Sequence, residues 1–210
     1  MNKFTISYLT MRKAIGYIAM IFPFALIIGT LFGGLTPMQN SISAYYWTTS
    51  NIIFVSMLVT FGIFLLSYNG YDKVDKWITS IAGASMLIVA FFPCEGSPVP
   101  DYLFMFLPVK TSAIIHYTAA ISTFSLMGIM SLFQFTKGNS KTEQKKKRNL
   151  VYKVSGITIF ATIALMVIVQ IIPHGREVTD VVRLWYWLES IILWAFGVSW
   201  LVKGEAILRD

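Results

Sequence analysis

Apolar residues in this chain run in six long blocks, near 14–35, 50–69, 77–93, 112–135, 152–172 and 184–202, each parted from the next by a short polar stretch. A bilayer core takes about 20 helical residues to cross, about 17 at the short end. The pattern therefore predicts an all-α fold, a polytopic transmembrane bundle of six helices. No stretch long enough for a soluble domain separates the blocks, so residues 1–210 are expected to form one domain. The first block follows Arg12 and Lys13 as a signal peptide would, but its apolar run is too long and no small-residue cleavage site follows, so it is read as a retained helix. Pro37, Pro93 and Pro173 each follow an odd-numbered block, where a residue unable to continue a helix makes a clean stop. The patch from Tyr102 to Leu107, between Pro100 and Pro108, is too short to span and is expected to lie in the interface or fold back over the helices.

The basic residues sort onto alternate connections. One side collects Lys3, Arg12, Lys13, Lys73, Lys76, the group from Lys137 to Lys153, Lys203 and Arg209, which is 14 of the 17 lysines and arginines. The other side has only Lys110, Arg176 and Arg183. Positive charge is retained on the cytoplasmic side during insertion, so both termini are expected in the cytoplasm and the chain in the inner (cytoplasmic) membrane. Aromatic residues fall where interface belts belong: Tyr45, Tyr46, Trp47 and Trp187 outside, Tyr68, Tyr71, Trp77 and Trp200 inside. The run KGNSKTEQKKKR, Lys137 to Arg148, reads as a solvated loop that enforces topology and touches anionic lipid. In NGYDKVDK, Asp72, Lys73, Asp75 and Lys76 are expected to neutralise one another in a tight turn.

Composition agrees with lipid as the solvent: 56% of residues are hydrophobic and 13% charged, against about 25% charged in an ordinary soluble domain. The net charge of +7 is explained by topology, so no nucleic-acid partner is expected. The single cysteine, Cys94, excludes an intrachain disulfide and any multi-cysteine metal site, and is expected to be inert.

Ionisable residues within spans are costly, so the two that lie clearly inside them, His116 and Glu189, are the first functional candidates. At 1.5 Å per residue they lie about 7 Å and about 9 Å below the outer ends of the fourth and sixth blocks, close enough in depth to meet. Asn51 and Gln170 fall at similar depth, and Ser43 and Tyr45, with Ser41 and Tyr46, belong to the loop above. Together these predict an outward-facing polar cavity walled by the second, fourth, fifth and sixth helices. A buried Glu and His either hold two helices in register or exchange protons and bind a polar group. A metal would need a third ligand, and His174 with Glu177 or Asp180 matches no metal motif, so no metal and no cofactor are expected. The chain lacks H-E-x-x-H, G-x-S-x-G and a P-loop, and no catalytic residue is assigned. Two functions fit: an integral membrane protein whose cavity binds a small amphiphile or solute, as transporter, sensor or accessory subunit, or a membrane-embedded lipid-modifying enzyme with His116 and Glu189 as acid and base. Membrane lipids are the expected partners; oligomeric state is not legible.

The stretches SISAYYWT, FLLSYNGYDKVD, AFFPC, RNLVYKVSG and FGVSWLVKG resemble those of small bacterial multi-pass membrane proteins of the domain-of-unknown-function 998 group, from Ser41 to Gly204. The resemblance implies a multi-helix membrane fold and no particular activity. The seven-helix membrane hydrolases related to alkaline ceramidases and adiponectin receptors do not fit, because His116 and His174 fall short of the three zinc histidines of that superfamily.

Overall fold

The computed structural model describes residues 7–33, 38–96, 102–103, 107–138, 142–172 and 180–209. Six long helices occupy these residues: α1 (Tyr8–Phe32), α2 (Asn51–Leu66), α3 (Lys73–Phe91), α4 (Val109–Ile129), α5 (Glu143–Ile171) and α6 (Leu184–Lys203). Five are long and apolar enough to cross a membrane, α4 with its continuation to Gln134. The exception, α2, has 16 residues, about 24 Å of helix. Each helix packs on its neighbours in sequence, and α6 closes against α1, so the six form a ring. Phe22, Phe54, Phe61, Phe196 and Trp200 fill its middle. Large apolar side chains also cover the outside, among them Phe24, Ile28, Phe32, Ile157, Val167 and Ile171. A chain apolar on both its inner and outer faces belongs in lipid.

Several helices start earlier than the apolar blocks, because polar caps rather than hydrophobicity set their ends. Ser7 Oγ accepts the Thr10 N–H at 3.0 Å, Asp72 Oδ1 the Asp75 N–H at 2.9 Å, and Thr142 Oγ1 the Lys145 N–H at 3.1 Å; each satisfies an orphan donor of a first turn. The last cap corrects the reading of the basic run: from Glu143 onward EQKKKR forms the opening turns of α5 and is not loop. Helix α4 continues into a π turn, Met130–Gln134, closed by Phe135 N–H on the Met130 carbonyl at 3.0 Å. Glycine allows the closest helix contact, since a Cβ on Gly83 of α3 would stand 2.6 Å from the Gly62 carbonyl of α2.

Tyr102–Leu103 pairs antiparallel with Leu107–Pro108, so the patch after α3 folds back on itself as the start of a short hairpin. Between α1 and α2 the chain forms a 3-10 turn, Ser43–Trp47. Lys3, Pro37, Pro100, Lys141, Pro173, His174, Arg176 and Glu177 lie outside the described residues.

Hydrogen bonds tie each end of the ring together. At one end Arg12 of α1 reaches the Lys203 carbonyl of α6 and Tyr68 after α2. There Lys137, beyond α4, holds Asp72 at 2.8 Å and Asp75 at 2.6 Å. This corrects the expected self-neutralised turn, whose two carboxylates instead share a lysine from another connection. At the opposite end the loop 38–50 lies across the bundle.

Candidate functional site

Glu189 lies on α6 one turn inside its start, buried, and its carboxylate turns toward the loop between α1 and α2 rather than toward a neighbouring helix. Oε2 accepts the Ile42 N–H at 2.5 Å, and the Ser43 N–H also points at this carboxylate. Both donors belong to the first turn of the 3-10 helix, which has no acceptor of its own to offer them. An anion is the strongest acceptor available there. Ser41 Oγ completes the turn by accepting the Ala44 N–H at 3.1 Å.

His116 holds the same loop from the other side. Its Nδ1 is 2.6 Å from the Phe92 carbonyl at the end of α3, and its Nε2 is 3.0 Å from Ser43 Oγ. A carbonyl can only accept, so Nδ1 carries a proton, and in the neutral ring Nε2 accepts from the Ser43 hydroxyl. His116 and Glu189 are thus brought to the same loop residues without bonding to each other: Ser43 is the link, through its hydroxyl on one side and its backbone on the other. Sequence spacing placed the two at one depth but carried no sign of the intermediary, because the contacts on Glu189 are backbone groups.

More bonds fasten the loop. The Tyr186 N–H donates to the Asn40 carbonyl at 2.9 Å, and Tyr186 Oη donates to the Pro23 carbonyl at 3.0 Å. Asn40 Nδ2 donates to Asp180 at 3.0 Å, and Arg183 donates to the Asn40 side chain. Trp47 Nε1 donates to the Cys94 carbonyl at 3.0 Å. Cys94 itself is buried and reduced.

Under the loop lies a cavity of about 40 Å³, space for a few waters at roughly 10–15 Å³ each. Phe22, Phe54, Leu58, Met86, Phe124 and Leu193 make most of its wall, and Ser43, Thr123 and Glu189 supply its polar groups. Thr123 is 3% exposed, and its hydroxyl has no hydrogen-bond partner among the described residues. The lining comes from α1, α2, α3, α4, α6 and the loop, which corrects the expected wall: α5 does not reach the cavity, and the lining is mainly apolar.

The remaining candidates separate. Asn51 Nδ2 donates to the Tyr46 carbonyl at 2.5 Å and holds the start of α2. Gln170 is exposed on α5 and does not line the cavity. Tyr45 is fully buried, accepts the Gln39 N–H at 3.3 Å and packs on Tyr186, so it anchors the loop without lining the cavity. Thr123 follows His116 by seven residues, two helical turns, which puts it on the same face of α4, but that its hydroxyl meets a cavity is a feature of packing. Among the described residues no three metal-ligating side chains gather. No family model matches the chain, and neither a curated protein nor a solved structure matches it.

Proposed function

We propose that this chain is a six-span protein of the cytoplasmic membrane, both termini inside, that binds a small solute or amphiphile at its outward end beneath a lid made of residues 38–50. The observation that carries this reading is the latch: the buried carboxylate of Glu189 is spent on the backbone of a loop, directly above a cavity that holds an unpartnered hydroxyl. A carboxylate meant only to join helices would find its partner on a helix. The cavity is the closed form, and a ligand larger than a few waters enters when Ile42 and Ser43 lift away from Glu189 and His116. Orientation is supported by the 14 to 3 division of basic residues and by the convergence of Arg12, Lys137, Arg148 and Lys203 on the opposite end of the ring. Kinship with the domain-of-unknown-function 998 group is part of the same proposal.

An enzymatic reading has one observation in its favour, a serine hydroxyl 3.0 Å from an imidazole whose other nitrogen is fixed by a carbonyl. Acyl transfer at Ser43 would also need donors for a developing oxyanion. The nearest ones, the N–H groups of Ile42 and Ser43, already face the Glu189 carboxylate. A lid latch uses every one of these contacts, whereas catalysis would have to break the strongest of them.

The test is labelling of Ser41→Cys by a membrane-impermeant maleimide on intact cells, in a Cys94→Ser background. Labelling is expected from outside, slow in the parent and faster when Glu189→Leu removes the latch. Labelling only after permeabilisation would reverse the orientation, and an unchanged rate in Glu189→Leu would remove the lid.

A further inference from the structure

The opposite end of the ring carries a second and much larger cavity, of about 760 Å³, between the start of α1, the start of α5 and the end of α6. Ligand pockets commonly run from about 300 to about 1,000 Å³. Five cations line it, Arg12, Lys137, Lys145, Arg148 and Lys203, against one carboxylate, Glu205. Glu205 stands 4.0 Å from Arg148, and Lys137 is matched by Asp72 and Asp75.

Lys203 and Arg12 are different. Lys203 is 3% exposed. Its Nζ donates to Tyr71 Oη at 2.9 Å and lies 4.4 Å from the Tyr71 ring centroid and 5.5 Å from that of Phe135. No carboxylate pairs with it among the described residues. An ammonium has three protons to donate, and burying it without a counter-charge is costly. Arg12 spreads its guanidinium over Tyr8 and Tyr68; each terminal nitrogen makes one long hydrogen bond, to the Lys203 carbonyl at 3.5 Å and the Tyr68 hydroxyl at 3.4 Å, and its Nε has no acceptor among the described residues. Lysines that merely enforce topology sit in water, as Lys146 does. Here an ammonium and a guanidinium from opposite ends of the chain are drawn into the protein beside open space.

We propose that this cavity binds a phosphate-bearing anion, with Lys203 and Arg12 supplying the donors that the protein leaves without acceptors and Tyr71 orienting the ammonium. A phosphate offers several acceptor oxygens and a charge that both cations lack. The group comes either from a phospholipid whose headgroup reaches in at the membrane surface or from a soluble phosphate compound. This site stands apart from the lid at the other end and does not depend on it.

The full-length protein in phosphatidylcholine nanodiscs, with and without inorganic pyrophosphate, and in nanodiscs containing phosphatidylglycerol, distinguishes the sources. Thermal unfolding reports stabilisation, and native mass spectrometry reports retained lipid. A saturable rise in Tm with pyrophosphate identifies a soluble anion; a rise with phosphatidylglycerol and retention of that lipid identifies a headgroup. In either case Lys203→Met and Arg12→Gln are each expected to weaken binding about tenfold or more, as loss of one charge-assisted contact implies. The proposal is overturned if neither probe stabilises the parent, or if both variants respond as the parent does. Should Lys203→Met fail to fold, Arg12→Gln decides between these outcomes alone.

Discussion

The two ends of this bundle solve the same problem, a polar chain crossing back over an apolar ring, in opposite ways. At the loop end one carboxylate and one imidazole are held by a few backbone and hydroxyl groups, and the space beneath them is about 40 Å³. At the basic end five cations face about 760 Å³, and Lys203 and Arg12 make no ion pair among the described residues. In the proposed reading the first arrangement opens to act and the second takes up an anion. Burial of a charge is therefore informative only together with its partners: Glu189 and Lys203 are both buried, yet one reads as a latch and the other as half of a binding site.

The largest expected effect tests the latch. Glu189→Leu leaves the Ile42 and Ser43 N–H groups without an acceptor and is expected to cost about 2–6 kcal/mol, at roughly 1–3 kcal/mol for each of the two orphaned donors. Glu189→Gln keeps a neutral acceptor and should cost about 1 kcal/mol. Denaturant unfolding in detergent measures both, and equal losses would mean that the carboxylate does not cap the loop. A smaller effect sharpens the picture of the cavity. Thr123→Val should lower stability by about 1 kcal/mol if water joins its hydroxyl to the other polar groups there; a gain in stability would mean that the cavity is dry and that the hydroxyl is an uncompensated cost.

The smallest effect belongs to the basic end. The hydrogen bond from Lys137, and then the Asp75 N–H, hold the Asp72 carboxyl below its ordinary range. A carboxyl whose folded pKa is depressed contributes stability above its unfolded pKa and loses it as pH falls through the folded value. Wild type and Asp72→Asn should therefore differ slightly near neutral pH and converge in acid. Because Asp72 is exposed, the difference should also shrink with added salt. A difference that persisted at low pH would show that the Asp72 charge is not its source, and no difference at any pH would leave Asp72 only the capping role that Asn also fills.

Legibility differed between fold and site for a physical reason. Apolar blocks of about 20 residues declare helices whatever their neighbours, and α6 was predicted at 184–202 against the observed Leu184–Lys203. The start of α5 was misplaced by nine residues, since EQKKKR looks like loop by charge while Thr142 makes it helix by capping. His116 and Glu189 stand out because ionisable groups within a span are rare, and the structure brings both to Ser43 without joining them to each other. Asn51 and Gln170 entered the candidate set by depth alone, which says nothing about the direction in which a side chain faces.

By itself the sequence determined the helical class, the rough placement of the apolar helices, the sorting of basic residues onto alternate connections and the two buried ionisable groups toward the loop end, while α2 is shorter than its apolar block. These are properties of composition along the chain and of local caps, which need no partner to be read. Only the tertiary structure decided that the ring closes α6 on α1, that Ser43 stands between His116 and Glu189, that Thr123 faces a cavity, and that Arg12 and Lys203 meet across 191 residues of chain. Each of these is a contact between distant segments, and several involve backbone groups that every residue carries, so no spacing or residue type could have announced them.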